Sequence, residues 1–292
     1  MNNRNQANRF YAIATAAVLV GVLALSITVW LFRPAQLDAA TLCPTSRPIA
    51  GHTLVILDRS DKWNPAMGDT LTQLIADAQR ETKQYQKFSI VSLDSRQSPH
   101  PLFSVCNPGQ PTLLSDLYRG HRYTERDFAD HFVGAAERVV EQVRAPDETA
   151  TSPIVEYVHQ WLGAADFDPS IPNRHVILVS DMRQNSSLYS MYQKSEGAGL
   201  APVVQAQFGP SAKGVTFDVY FVTHGQDHNV EESQVRAAWD QAFRGVGDVS
   251  FADPGVKHRP RAEPGEVCWN LAVTYGDLKW SGVLGLAQKF LN

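Results

Sequence analysis

The stretch "TLVILDRSDKWNP", residues 53–65, decides the expected fold. An unbroken apolar run, typical of a strand covered on both faces, ends at Asp58, and Ser60 and Asp61 follow at once. Pro65 then fits the first position of a helix, with Asn64 before it as a cap. Carboxylates at the tip of a buried strand are expected where an open parallel sheet meets its ligand.

The same alternation of strands and helices continues along the chain. Further strands are predicted in "KFSIVSLD", "RHVILVSD" and "VTFDVYFVT", with "GDVSFAD" as a short edge strand. Apolar residues at helical spacing predict helices over residues 64–82, 124–144, 153–164, 229–247 and 277–292. The expected fold class is therefore α/β, a doubly wound, mainly parallel sheet with helices on both faces. Two long insertions, 92–124 and 185–214, are expected to be loops that carry a binding face.

The segment from Phe10 to Phe32 predicts a membrane anchor. It has no charged residue, and its length covers a hydrocarbon core of about 30 Å. Tyr11 and Trp30 lie near its ends, as aromatic residues do at membrane interfaces. A cleaved signal peptide is the alternative, but the apolar run is longer than the usual core of about 7–15 residues. We therefore expect an uncleaved transmembrane helix.

Basic residues predict the orientation of this helix. Arg4 and Arg9 precede it with no acidic residue between them, whereas Arg33 is followed by Asp38 before any further basic residue. This asymmetry places the N-terminus in the cytoplasm. In a Gram-negative bacterium the chain would be a single-pass inner-membrane protein with a periplasmic domain. The expected organisation is a cytoplasmic tail (1–9), a transmembrane helix (10–32), a linker (33–51) and an α/β domain (52–292).

Three cysteines leave two possibilities open. They are too few for a disulfide scaffold and lack the spacing of a zinc site. In an oxidising compartment Cys43 and Cys106, both in loop-like sequence, are the preferred pair, and Cys268 is left over. Buried free thiols are the alternative.

Oxygen-bearing side chains follow two strands and precede one helix. Asp58 and Ser60 follow the first strand, Asp181 follows "RHVILVS", and Ser152 precedes the helix "PIVEYV". Because ligands collect at the carboxyl ends of parallel strands, we expect these side chains to share one location. Carboxylates and hydroxyls suit a hard cation such as Mg²⁺.

The segments "VILDRSD", "TSPIVEYV" and "HVILVSD" together resemble a von Willebrand factor A (VWA) domain over about residues 52–252. The resemblance implies a doubly wound fold with a divalent cation at a metal-ion-dependent adhesion site (MIDAS). By position, Asp58 and Ser60 match the first and third places of the D-x-S-x-S loop, Ser152 the threonine place, and Asp181 the last aspartate. Lys62 departs from the pattern, because serine is expected at its place. Each loop also has a simpler interpretation: Ser152 as a helix cap, and Asp58 and Asp181 as loop caps.

Composition and motifs limit the possible functions. A net charge of -4 and a pI near 6.1 argue against a general nucleic-acid partner. We expect a membrane-anchored module that recognises protein partners in the envelope and is not an enzyme, because no nucleophile or general base is recognisable. Two alternatives stay open. One is a structural subunit whose Lys62 replaces the metal charge, and the other is a metal-assisted hydrolase.

Overall fold

The computed structural model describes residues 2–31, 33–60, 65–93, 100–143, 151–193, 199–222, 231–244, 246, 251–252 and 267–273. The helices are α1 (Asn2–Leu31), α2 (Pro65–Glu81), α3 (Leu113–Arg119), α4 (His121–Arg126), α5 (Gly134–Val143), α6 (Ile154–Leu162), α7 (Leu200–Phe208) and α8 (Glu232–Arg244). The strands are β1 (His52–Asp58), β2 (Lys87–Leu93), β3 (Phe103–Cys106), β4 (Arg174–Ser180), β5 (Val215–Val222), β6 (Phe251–Ala252) and β7 (Val267–Val273). A π-helical segment, Asp127–Val133, joins α4 to α5.

The described strands form one sheet in the order β3-β2-β1-β4-β5-β7-β6. Neighbouring strands are parallel, except that β3 is antiparallel to β2. The chain runs from β1 outward to β2 and β3 and then returns to β4 on the other side of β1. The strand order therefore reverses between β1 and β4, which is where open α/β sheets bind ligands.

Residues of β1 pack alternately on the two faces of the sheet. Leu54 and Ile56 belong to the core beneath α6, α7 and α8, whereas Val55 and Leu57 belong to the core beneath α2 and α5. Because both faces are covered, Leu54, Val55, Ile56 and Leu57 are all apolar, and the run is unbroken. The predicted fold class is confirmed.

Parts of the topology differ from the prediction. The insertion 92–124 contains β3, α3 and α4, and the insertion 185–214 contains α7, so neither is a simple loop. The predicted edge strand is confirmed as β6, but β7 was not predicted and lies between β5 and β6. The predicted helix over 277–292 lies outside the described residues, as do Asp61, Lys62 and the cap Asn64.

Helix α1 contains one candidate membrane span. Phe10–Leu31 is long and apolar enough to cross a membrane by its length and composition, and its side chains are exposed. Such a helix fits a single-pass membrane protein. Phe32, the last residue of the predicted span, lies outside the described residues.

The expected linker, residues 33–51, is packed against the domain. Cys43 forms a disulfide with Cys106, the last residue of β3, which confirms the preferred pairing. The backbone N–H of Ala35, a buried residue, donates to the hydroxyl of Tyr85 over 3.3 Å. Because Cys106 pairs with Lys87, the first residue of β2, these attachments lie at the amino end of the parallel strands. The segment therefore ties α1, with its candidate span, to that end of the sheet.

A buried histidine, His52, connects β1 to β2 and to Asp166 at the same end of the sheet. In His52, Nδ1 donates to the carbonyl oxygen of Asp166 over 2.9 Å, and Nε2 accepts from the hydroxyl of Ser89 over 2.8 Å. Since a carbonyl only accepts, the ring is the neutral Nδ1–H tautomer. Burial lowers the pKa of His52 to about 4, although the charge of Asp166 acts in the opposite direction.

The protein should therefore lose stability in mild acid. Between the ordinary pKa of 6.5 and the folded pKa of about 4, the unfolded chain takes up the proton and the folded chain does not. The free energy of unfolding should fall by about 3 kcal/mol from this group as the pH drops through that window. Urea unfolding at several pH values measures it. The slope should be smaller in His52→Gln and unchanged in His159→Gln, which replaces an exposed histidine; equal slopes in both variants would contradict the assignment.

Candidate functional site

The carboxylate of Asp58 is the centre of the site at the tip of β1. Its Oδ1 accepts from the backbone N–H of Ser60 over 3.0 Å, and its Oδ2 accepts from the hydroxyls of Ser152 and Ser180 over 2.9 and 2.7 Å. Burial raises the pKa of Asp58, and these hydrogen bonds, with a further one from the hydroxyl of Ser60, oppose the rise. A desolvated carboxylate is thus surrounded by hydroxyl groups from three segments of the chain.

Ser152 reaches this carboxylate because it does not cap α6. The cap position belongs to Pro153, whose side chain accepts no hydrogen bond, so the simpler interpretation of Ser152 as a helix cap was wrong. Two backbone hydrogen bonds of 2.9 Å, exchanged between Ser152 and Asn185, tie the loop before α6 to the loop after β4. The serine hydroxyl is therefore held over the end of β1.

Asp181 lies at the same end of the sheet, directly after Ser180. Its Oδ1 accepts from the backbone N–H of Arg183 over 2.9 Å, and its Oδ2 lies 3.1 Å from Nη1 of the same arginine. Each of the two side chains is only 3% exposed. The structure therefore brings Asp58, Ser60 and Ser152 together by direct hydrogen bonds, whereas Asp181, one residue after Ser180, is held in an ion pair with a buried guanidinium.

The turn after β4 has an unusual backbone conformation at Met182, the residue between Asp181 and Arg183. Met182 has a φ of 61°, in the left-handed region that residues other than glycine rarely adopt. Its N–H donates to the hydroxyl of Ser180 over 2.8 Å, and its carbonyl accepts from Nε1 of Trp239 over 2.6 Å. Asp181 and Arg183 flank this turn, whose backbone is held at both the N–H and the carbonyl of Met182.

Gln184 is a second residue that the sequence did not single out. Its Oε1 accepts from the backbone N–H of Val155, in the first turn of α6, over 2.9 Å. Its Nε2 donates to Glu156 over 2.9 Å. The fully buried glutamine thus supplies the cap that Ser152 does not. The signal was weak: the run "DMRQNSS" only indicated a polar segment near the site.

The donor set around Asp58 fits a hard cation. One carboxylate and the hydroxyls of Ser60, Ser152 and Ser180 are oxygen donors of the kind that Mg²⁺ accepts, usually with several waters. Asp181 fits less well, because its oxygens already accept from Arg183. Within the described ranges, no group of three or more His, Cys, Asp or Glu side chains could hold a metal, so a centre here depends on the serines.

No protein-family model and no curated protein matches this sequence. Three solved structures show a distant likeness. An aerotolerance-related membrane protein from Bacteroides fragilis is 10% identical with a TM-score of 0.38, over 81% of this chain and 96% of that one. The pilus adhesin SpaC from Lactobacillus rhamnosus is 9% identical with a TM-score of 0.42, over 82% of this chain and 29% of that one. BatB from Bacteroides thetaiotaomicron is 13% identical with a TM-score of 0.33, over 82% and 96%. With scores this low, they carry no argument about the role of any residue.

Proposed function

We propose that this protein is a membrane-anchored, VWA-like recognition module that binds a protein partner at the carboxyl end of its sheet. The observation that carries the proposal is the buried Asp58 carboxylate, which accepts hydroxyls from Ser152 and Ser180 at the point where the strand order reverses. Hydrogen bonds between three separate segments hold the site, so we expect its geometry to change little when a ligand binds. We propose a binding role and no catalysis; turnover of generic phosphoesters that is lost in Asp58→Asn would contradict this.

A divalent cation, Mg²⁺, is part of the proposal. Asp58, Ser60 and Ser152 would hold it, with Ser180 in addition to the residues expected from the resemblance. When bound, the cation would offer an open position to a carboxylate of the partner. It would also offset the burial that raises the pKa of Asp58.

Thermal unfolding of the full chain in detergent tests the cation. Mg²⁺ at about 100 times its dissociation constant should stabilise the protein by about 2.7 kcal/mol, which raises the melting temperature by about 5–10 °C relative to EDTA. The rise should vanish in Asp58→Asn and persist in Asp168→Asn. Asp168 is a suitable control because it accepts from the backbone N–H of Ser170 on an exposed loop. An equal rise in both variants would remove the cation from the site.

We also propose that the domain lies across the membrane from the N-terminus, in an oxidising compartment. The disulfide between Cys43 and Cys106 supports this orientation, because disulfides persist in such compartments and are rare in the cytosol. Arg4 and Arg9, which precede the candidate span Phe10–Leu31, support the same orientation. The redox state of the two cysteines in intact cells tests it.

One observation favours a second candidate, a structural subunit that uses no metal. The guanidinium of Arg183 already supplies a positive charge to Asp181, which is the role that the sequence had suggested for Lys62. Under this alternative the wild type shows no response to Mg²⁺, and Asp58→Asn is more stable than the wild type at neutral pH because a buried charge is removed. The same unfolding series therefore separates the two candidates.

A further inference from the structure

Two leucines of helix α3 are exposed, whereas two of its charged side chains face the protein. Leu113 and Leu117, four residues apart on one face, are 93% and 75% exposed. Asp116 and Arg119 are turned toward the protein and have partners there. Asp116 accepts from the hydroxyl of Thr124 over 2.6 Å, and Arg119 pairs with Asp127. In water this arrangement is unfavourable, since two leucines are more exposed than two charged side chains of the same helix, which are 26% and 25% exposed.

The helix is nonetheless well defined. Thr112 caps it, and Thr112 and Ser115 exchange the two hydrogen bonds of a capping box. Gly120, with a φ of 87°, ends it, and its N–H donates to the carbonyl of Asp116. The outward direction of the leucines is therefore fixed by local hydrogen bonds. We call Leu113, Leu117 and Tyr118 the α3 apolar face.

The α3 apolar face lies beside the end of the candidate membrane span. The hydroxyl of Tyr118 donates to the carbonyl of Val29 over 2.9 Å, and Val29 is two residues before the end of α1. A tyrosine beside the end of a span is where the aromatic belt of membrane proteins is found. Trp30 is on the same turn of α1, and the guanidinium of Arg33 lies 5.9 Å from its ring centre. The disulfide at Cys106 independently joins the end of β3, just before α3, to the segment that follows the span.

We infer that the α3 apolar face is a second membrane contact, buried in the interface of the same bilayer that α1 crosses. Its partner is a phospholipid surface, because the face is continuous with the end of the span. The hydroxyl of Tyr118, beside the two leucines, makes that connection to α1. On the next helix, α4, Tyr123 and Arg122 are also exposed. They add an aromatic ring and a cation, which suit lipid headgroups. This contact is independent of the site at Asp58.

Depth measurement by electron paramagnetic resonance tests the inference on the full chain in nanodiscs of phosphatidylcholine and phosphatidylglycerol. A nitroxide is attached to a genetically encoded ketone side chain at position 117, which leaves the cysteines intact. We expect the label to lie about 5–10 Å below the headgroup boundary, relaxed by oxygen and shielded from an aqueous nickel complex. The matched control is a label at Leu188, which is 41% exposed in the loop after β4 and should remain fully accessible to nickel.

A charged variant provides the second arm. Leu113→Glu replaces an exposed side chain, so the fold should persist, yet it should lift the label at 117 out of the lipid and raise its nickel accessibility to the level at 188. Equal accessibility of the labels at 117 and 188 to nickel, without the Leu113→Glu substitution, would overturn the inference. Shielding of 117 from both nickel and oxygen, increasing with the number of chains per disc, would assign the face to a second copy and overturn it as well.

Discussion

Replacement of Arg183 with methionine should lower the free energy of unfolding by about 3–5 kcal/mol. The guanidinium is 3% exposed and pairs with an equally buried carboxylate, that of Asp181. Methionine fills part of the volume but removes the charge, so Asp181 loses a cationic partner in surroundings that exclude water. Urea unfolding of the detergent-solubilised chain, followed by circular dichroism, measures the loss.

Two further variants show whether burial is the cause. Arg183→Met combined with Asp181→Asn should recover much of the lost stability, because neither charge of the pair is then buried without its partner. Arg80→Met should change stability by less than about 1 kcal/mol, because Arg80 and its partner Asp77 are 70% and 48% exposed. If Arg183→Met and Arg80→Met have similar effects, the pair at the strand tip contributes no more than a surface pair.

Removal of the disulfide should cost about 4 kcal/mol. The cysteines are separated by 63 positions, and a cross-link of that span restricts the unfolded chain strongly. Cys43→Ala with Cys106→Ala should therefore unfold at lower urea than the wild type. Alanine is suitable because Cys106 is fully buried and a serine hydroxyl there would need a partner.

Chemical reduction supplies the control for this prediction. Dithiothreitol should destabilise the wild type by a similar amount and leave the double variant unchanged. In intact cells the two cysteines should resist alkylation unless they are first reduced. Free thiols at both positions would place the domain in the cytoplasm and contradict the proposed orientation.

The fold was predictable where local patterns and tertiary structure agree. In β1 the unbroken apolar run Leu54–Leu57 reflects two covered faces, so pattern and burial coincide over these four residues. β7 was missed because it follows a long segment and joins the sheet between β5 and β6, a pairing that only distant contacts determine. Helix α3 was missed because its outward leucines and inward charges do not follow the usual pattern of a helix on a soluble protein.

The site was predictable only in part, for a similar reason. Asp58, Ser60 and Ser152 were found because each follows a strand or precedes a helix, and parallel strands bring such positions together. Arg183 was not found because the burial of its guanidinium beside Asp181 is a tertiary property, which no pattern in the residues around it marks.

The attachment of the anchor at one end of the sheet has a consequence for any binding partner. Asp58 and His52 are the last and first residues of a strand of seven residues, and such a strand is about 23 Å long. With the proposed anchor in a bilayer and the strand upright on it, a protein in the same bilayer would need an ectodomain of about this height to touch Asp58. Soluble proteins, or proteins with tall ectodomains, are thus the candidates to look for, and short neighbouring membrane helices are not.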